Sequence, residues 1–242
     1  MEEMEWNILT TIIYTLIANA CHLISRSKNM DNRELAGLVF KEELEYIKSD
    51  RIRRLVLDCF DELTPDYFWE VAGSSSGLHH PKIANRKHGL IMHVKLCVWW
   101  GRKLAESFYR YDMDIIIAAL LLHDLQKFGL EMSLYDGKPT LASYTSTHGM
   151  LMAVQMMQLL KKQEKIVHGT FETITACVGL HMGRWTDEIL GSKWLKEYRD
   201  NNNVKIVQMA DYCASRKVGA KMEELDKWEF PGREGIVDDK KD

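Results

Sequence analysis

The sequence predicts an all-α fold, and three observations support that prediction. Apolar residues recur at helical spacing along most of the chain, whereas the alternating pattern of strands is hard to find. Only 4 of the 242 residues are proline, so few positions interrupt a helix. Apolar residues make up 46% of the chain and charged residues 28%, which is the usual balance of a globular domain.

Composition also narrows the class of protein. The formal net charge of −3 provides no global basic field that would attract nucleic acid, although a local basic patch is compatible with it. The apolar stretch over residues 8–24 contains Asn19 and His22 and is too short and too polar to span a bilayer, so we expect no membrane partner. No Cys-x-x-Cys pair is present, and we interpret the cysteines as reduced core residues of a cytoplasmic protein. They are Cys21, Cys59, Cys97, Cys177 and Cys213.

The first third of the chain is predicted to be helical. A first helix is expected over residues 6–26 and a second from Asp31 to about Lys48, with Asp31 and Glu34 placed as a capping box. A third helix is expected over residues 50–62, where apolar side chains share one face.

The clearest linker is the Gly-Ser-Ser-Ser-Gly run at residues 73–77. It divides the chain into an N-terminal helical segment, residues 1–77, which packs on the core, a main domain, residues 78–228, and a C-terminal tail, residues 229–242. The basic, His-rich stretch over residues 78–89 is open to two interpretations. It is either a lid that presents Lys82, Arg86 or Lys87 to phosphates or an ordinary exposed loop, and we assign no metal ligand within it.

The next helices carry residues that suit metal binding. A helix from Gly89 to about Tyr109 contains His93, and the apolar run from Ile115 to Leu122 ends directly in His123 and Asp124. A buried His or Asp without a partner costs several kcal/mol, so both must have partners. Further candidates lie in apolar helical segments downstream: His148, His181 and Asp211. Four imidazoles and two carboxylates are the donors that a two-metal hydrolytic centre requires.

This ordered set resembles the HD-domain metal-dependent phosphohydrolases, which carry a His, a His-Asp doublet and a distal Asp on separate helices. His93, the doublet and Asp211 match those positions. His148 and His181 match the longer, dinuclear form found in cyclic-nucleotide phosphodiesterases, HD-GYP proteins and HD exoribonucleases. The resemblance covers roughly residues 78–216. It implies an HD-domain helical bundle and says nothing about the N-terminal segment, whose helical periodicity leads us to expect an added helical layer.

The resemblance also suggests roles for individual residues. Asp124 is the expected bridging ligand, because a carboxylate has two oxygens, and it could accept a proton from a metal-bound water. Lys127 matches a His-Asp-x-x-Lys pattern and would bind a phosphate oxygen and offset charge in the transition state. The alternative for Lys127 is a lysine that interacts with a helix C-terminus.

Three further residues are candidates for substrate binding. Arg184 can form a forked contact with a phosphate, and Trp185 can stack on a base. Equally, Arg184 could be an ordinary surface arginine and Trp185 a half-buried tryptophan with no role in binding. Arg216 is expected to pair with a carboxylate or a phosphate.

We therefore expect a phosphodiesterase or nuclease that hydrolyses a phosphodiester in a short or cyclic oligonucleotide through a hydroxide activated by two metals. One alternative is a phosphohydrolase of (d)NTP or (d)NMP, and another is a regulator that binds a nucleotide without turnover. A mixed-valent di-iron oxygenase is another known use of the fold. The His-rich donor set favours Mn²⁺ or Fe²⁺, with Ni²⁺, Co²⁺ and Zn²⁺ also suitable. A nucleotide or short oligonucleotide is the expected partner, and a homo-oligomer is allowed.

Overall fold

The computed structural model describes residues 30–74, 80–129, 148–163, 169–183, 195 and 197–216. Within these ranges the chain forms eight α-helices and two short 3₁₀ helices and no strand, which confirms the all-α prediction. The α-helices are α1 Asn32–Val39, α2 Lys41–Glu45, α3 Asp50–Leu63, α4 Gly89–Ala105, α5 Met113–Leu122, α6 His148–Lys162, α7 Thr170–Leu180 and α8 Asn202–Arg216. The 3₁₀ helices are Asp66–Trp69 and Lys82–Asn85. The predicted helix over residues 6–26 and the predicted tail lie outside the described residues.

The N-terminal helices begin where capping residues place them. The Asp31 carboxylate accepts a hydrogen bond from the Glu34 N–H at 2.7 Å, as the predicted cap requires. The continuous helix expected from there to Lys48 is wrong, because the chain forms α1 and α2 with a break at Phe40. The Phe40 backbone departs from helical geometry, with φ −108° and ψ 26°, and its ring is fully buried. We attribute the break to this ring, which turns inward to pack on Phe60 at a centroid separation of 5.3 Å.

Helices α4 and α5 form the centre of the molecule. Every residue of α5 from Ile115 to Leu122 is buried, and α5 contacts α3, α4, α7 and α8. Helix α4 packs most extensively against α8. A helix that is apolar on all sides must be enclosed by protein, so the C-terminal end of α5 lies in the interior of the molecule. The His-Asp doublet follows at that end.

The segment that precedes residue 75 shares one hydrophobic core with the rest of the described chain. The Lys95 Nζ lies 2.8 Å from Glu43 Oε2 in a buried ion pair that joins α2 to α4. The Gly73 N–H donates to the Ala84 carbonyl at 2.7 Å, and a Cβ at Gly73 would lie 3.2 Å from the Cβ of His93. The N-terminal segment thus supports the helix that carries His93. No helix within the described ranges is both long and apolar enough to cross a bilayer.

Candidate metal centre

Five helices bring the six predicted donors into one buried group. His93 lies within α4, His148 is the first residue of α6, and Asp211 lies within α8. The doublet directly follows α5, and His181 directly follows α7. The histidines and Asp124 are buried, whereas the side chain of Asp211 is 18% exposed. Residues up to 118 positions apart therefore meet at one place in the fold.

A first group of donors surrounds one oxygen of Asp124. Asp124 Oδ2 lies 3.4 Å from His93 Nε2 and 3.5 Å from His123 Nε2. The two Nε2 atoms are 3.4 Å apart. Asp211 Oδ1 completes the group at 3.1 Å from His93 Nε2 and 3.9 Å from His123 Nε2. We call these four residues the first group.

A second group surrounds the other oxygen of the same carboxylate. Asp124 Oδ1 lies 2.9 Å from His148 Nε2 and 3.6 Å from His181 Nε2. These two Nε2 atoms are 2.9 Å apart. Asp124 therefore contributes Oδ2 to the first group and Oδ1 to the second group, which is the geometry that a bridging carboxylate requires.

Two of the histidines are oriented by the helices that they terminate. His123 Nδ1 lies 2.7 Å from the Leu120 carbonyl oxygen, and His181 Nδ1 lies 2.7 Å from the Val178 carbonyl oxygen. The carbonyls of a last helical turn lack the usual partner four residues later and can accept these bonds, although the Val178 carbonyl also accepts the His181 backbone N–H at 3.4 Å. Because a carbonyl only accepts, each Nδ1 carries the hydrogen, and in the neutral ring the Nε2 atom then presents a lone pair to the site.

The electrostatics keep the carboxylates ionised and His123 neutral. Burial alone raises the pKa of Asp124, but the Lys127 ammonium, with Nζ 2.5 Å from Oδ2, holds that pKa well below its usual value. The pKa of Asp211 is likewise lowered, because His93 offsets the effect of burial. Burial lowers the pKa of His123 to about 3. The protein thus presents anionic oxygens and an uncharged imidazole near neutral pH.

This donor set fits divalent cations. Although His148 Nε2 is close, the buried Asp124 Oδ1 accepts no well-formed hydrogen bond within the described part of the chain. The lone pair of His123 Nε2 faces the carboxylate oxygens of Asp124 and Asp211, and all three are hydrogen-bond acceptors. A buried acceptor without a donor is costly, and a cation between the two groups would satisfy both Asp124 Oδ1 and the lone pair of His123 Nε2. Imidazole nitrogens with carboxylate oxygens are typical ligands of divalent transition metals.

Two residues beside the first group were not predicted to belong to it. Cys97 Sγ lies 3.4 Å from His93 Nε2 and 3.9 Å from His123 Nε2, although we had interpreted Cys97 as core packing. Its position four residues after His93 on one helix is a signal that sequence reasoning could have used. The His80 ring lies 4.9 Å from the His93 ring, and burial lowers its pKa to about 2. His80 lies in a loop, where no periodicity points to it.

Of the four predicted substrate-binding residues, one lies in the site, one lies on the surface and two fall outside the described residues. Lys127 is buried within the site and contacts Asp124. Arg216 is exposed at the end of α8, where its guanidinium lies 5.3 Å from the centroid of the Tyr212 ring. Arg184 and Trp185 lie outside the described residues. Their roles in substrate binding stay predictions.

Comparison with known proteins agrees with this geometry. The family model described as HD domain matches residues 90–216, just over half of the chain, and this range contains all six donors. No curated protein and no solved structure matches the chain. The family match confirms the resemblance drawn from the ordered His and Asp residues. The chain therefore belongs to the HD domain family, within a superfamily of metal-dependent hydrolases.

Proposed function

We propose that this protein is a metal-dependent phosphodiesterase or nuclease that hydrolyses a nucleotide phosphodiester in a short or cyclic oligonucleotide. One observation carries the proposal: Asp124 faces the first group with Oδ2 and the second group with Oδ1. A hydrolase that uses a single cation needs only the first group. His148 and His181 are additional donors, and a second cation gives them a function.

Each group has the ligands that one cation needs. The first group offers two imidazole nitrogens and oxygens of two carboxylates, and the second group offers two imidazole nitrogens with Asp124 Oδ1. When bound, two such cations activate water for attack and stabilise negative charge on the attacking and leaving oxygens of a phosphate ester.

The protein's own residues hold and orient these donors. Hydrogen bonds to the Leu120 and Val178 carbonyls fix the rings of His123 and His181, so their Nε2 atoms are placed before substrate arrives. Asp124 is ionised near neutral pH and so can accept a proton from the attacking water through a carboxylate oxygen. Burial of these side chains keeps bulk water away, which strengthens electrostatic interactions within the site.

We propose that Lys127 acts on the substrate phosphate. Its Nζ lies 2.5 Å from Asp124 Oδ2, and the residue is only 8% exposed. A compact cation held beside the reacting centre can donate to a phosphate oxygen and offset the charge that develops in the transition state. We therefore assign Lys127 to phosphate binding and to stabilisation of that charge.

The cellular setting is also part of the proposal. No disulfide bond joins any of the four cysteines that the structure describes. Cysteines kept as thiols are typical of a reducing compartment, and on that ground we propose a cytoplasmic enzyme. A nucleotide or short oligonucleotide is its proposed substrate.

A substrate panel tests the proposed function. The chelator-treated protein is reloaded with Mn²⁺ or Fe²⁺ and incubated with cyclic dinucleotides, short single strands of DNA and RNA, dNTPs and dNMPs, and the products are separated. We expect cleavage of phosphodiester bonds, lost in Asp124→Ala with helical content retained by circular dichroism. Turnover of dNTPs or dNMPs alone would replace the proposal with a nucleotide phosphohydrolase. Metal binding without turnover of any substrate would indicate a nucleotide-binding regulator.

A further inference from the structure

Cys97 presents its sulfur to the first group. It lies one helical turn after His93 on α4, so the two side chains share one face of the helix. The residue is fully buried. Donor atoms of Cys97, His93, His123 and Asp211 all lie within 4.8 Å of one another. A cysteine that served only as packing would not need to face nitrogen and oxygen donors.

The distances match the edges of a metal coordination shell. Zinc–nitrogen bonds of about 2.0–2.1 Å and a zinc–sulfur bond of about 2.3 Å place neighbouring donors of a tetrahedron about 3.3–3.6 Å apart. Cys97 Sγ lies 3.4 Å from His93 Nε2, and His93 Nε2 lies 3.4 Å from His123 Nε2. Cys97 Sγ lies 3.9 Å from His123 Nε2, so a shift of a few tenths of an ångström would bring this distance also to the spacing of neighbouring ligands.

A second observation, independent of the cysteine, favours a cation at this position. The His123 Nδ1 hydrogen is donated to the Leu120 carbonyl, so its Nε2 directs a lone pair toward the carboxylate oxygens of Asp124 and Asp211 at 3.5 and 3.9 Å. A lone pair that faces carboxylate oxygens is unfavourable, and a cation between them would remove that cost. The sulfur of Cys97 borders that same space.

We infer that Cys97 is a direct ligand of the cation in the first group and makes this position a mixed sulfur, nitrogen and oxygen site. The inference rests on the metal centre of the proposed function. On binding, the Cys97 S–H bond breaks, its electron pair forms the sulfur–metal bond, and the proton passes to solvent. No electron is transferred, and no oxidant is needed.

A thiolate ligand changes the metal preference. Thiolate is a soft donor that suits Zn²⁺, Fe²⁺ or Co²⁺ better than Mn²⁺ or Mg²⁺. The first group should therefore select Zn²⁺ or Fe²⁺. The second group, which has only imidazole and carboxylate donors among the described residues, should be less selective.

Spectroscopy of the metal-loaded full chain tests this inference without relying on turnover. One equivalent of Co²⁺ is added to the metal-free protein, and the near-ultraviolet spectrum is searched for a sulfur-to-cobalt charge-transfer band. One equivalent of Zn²⁺ is added to a second sample for X-ray absorption, where a sulfur scatterer is expected at about 2.3 Å. The same measurements are made on Cys97→Ala and on a control, Cys177→Ala. Cys177 is also fully buried, and burial rather than the site carboxylates raises the pKa of its thiol.

We expect the cobalt band and the sulfur scatterer in the unmodified protein and in Cys177→Ala, and neither in Cys97→Ala. Removal of the thiol should lower Zn²⁺ affinity at least about tenfold, the loss typical even of residues that only support ligands. Metal bound by nitrogen and oxygen alone in the unmodified protein would overturn the inference, whether or not Cys97→Ala folds. That result would leave the proposed function standing, whereas failure to bind any metal would overturn both.

Discussion

Replacement of Asp124 by asparagine removes one charge while it preserves the shape of the side chain. The carboxylate is shared by the first and second groups and also contacts Lys127. Asp124→Asn should therefore weaken both cation positions and leave a buried ammonium without its ionic partner. The two consequences can be measured separately, because one concerns metal binding and the other concerns the stability of the metal-free protein.

The stability cost follows from the geometry of the ion pair. Lys127 Nζ lies 2.5 Å from Asp124 Oδ2, with side-chain exposures of 10% and 1%. Removal of one partner from such a buried pair costs about 3–5 kcal/mol. For a protein of this size each kcal/mol lowers the melting temperature by about 2–4 °C, so the metal-free variant should melt about 6–20 °C lower. Turnover should fall by at least about 10³-fold, the upper range for loss of a single electrostatic contact in an active site.

The chain offers a matched control for this experiment. Lys95 and Glu43 form a second buried pair at 2.8 Å, with side-chain exposures of 6% and 4%. Glu43→Gln should lose a similar free energy of unfolding in urea denaturation but keep its metal content and turnover. Asp124→Asn should lose all three. The double variant Asp124→Asn with Lys127→Met should recover part of the stability, because it removes the unpaired charge, without recovery of turnover.

Two outcomes would refute this reasoning. If Asp124→Asn kept the metal content and turnover of the unmodified protein, Asp124 would not be the shared ligand. If its unfolding free energy changed by less than about 0.5 kcal/mol, as for an ordinary surface substitution, the contact with Lys127 would not be a buried ion pair in solution.

Two further predictions concern the second group and the response to acid. A Cβ at Gly149 would lie 2.8 Å from His181 Nδ1, so Gly149→Ala should displace that ring and lower affinity for the second cation about 10–100-fold in calorimetric titration. Gly37→Ala, with no atom within 4 Å of the new Cβ, is the control and should be slightly stabilising. Burial lowers the pKa of His80 to about 2 and of His123 to about 3, whereas an unfolded histidine titrates near 6.5. Below pH 6.5 the unfolded chain therefore binds more protons at these two positions than the folded chain. As the pH falls, each histidine should lower the free energy of unfolding of the metal-free protein by up to about 1.4 kcal/mol per pH unit. His181, whose pKa is raised, offsets part of this loss. The prediction is tested by urea denaturation at pH 7, 6 and 5. A free energy of unfolding that stayed constant or increased as the pH fell would contradict it.

The helical framework was largely predictable from sequence because it depends on local signals. Capping by Asp31 and the apolar run from Ile115 to Leu122 are both visible in short stretches of sequence. The break at Phe40 was not predictable, because it depends on the packing of the Phe40 ring against Phe60, which lies twenty residues further along the chain.

The same limit applies to the candidate site. The placement of His123 and His181 directly after buried helices was visible in sequence, and the structure shows why it matters, since the last turns provide the carbonyls that orient both rings. The division of the Asp124 oxygens between two groups depends on the packing of five helices, which spacing alone does not determine. The spacing of Cys97 four residues after His93 places both side chains on one helix face, but a buried cysteine is usually core packing. The fold adds the distance of 3.4 Å between its sulfur and His93 Nε2.

Metal content per chain is the most direct test of the two-cation site. Chelator-treated protein is titrated with a divalent metal, separated from free metal and analysed for bound metal, in parallel with His148→Ala. The shared position of Asp124 predicts two ions per chain in the unmodified protein and one in His148→Ala, which lacks a donor only in the second group. A single ion per chain in both proteins would contradict the account.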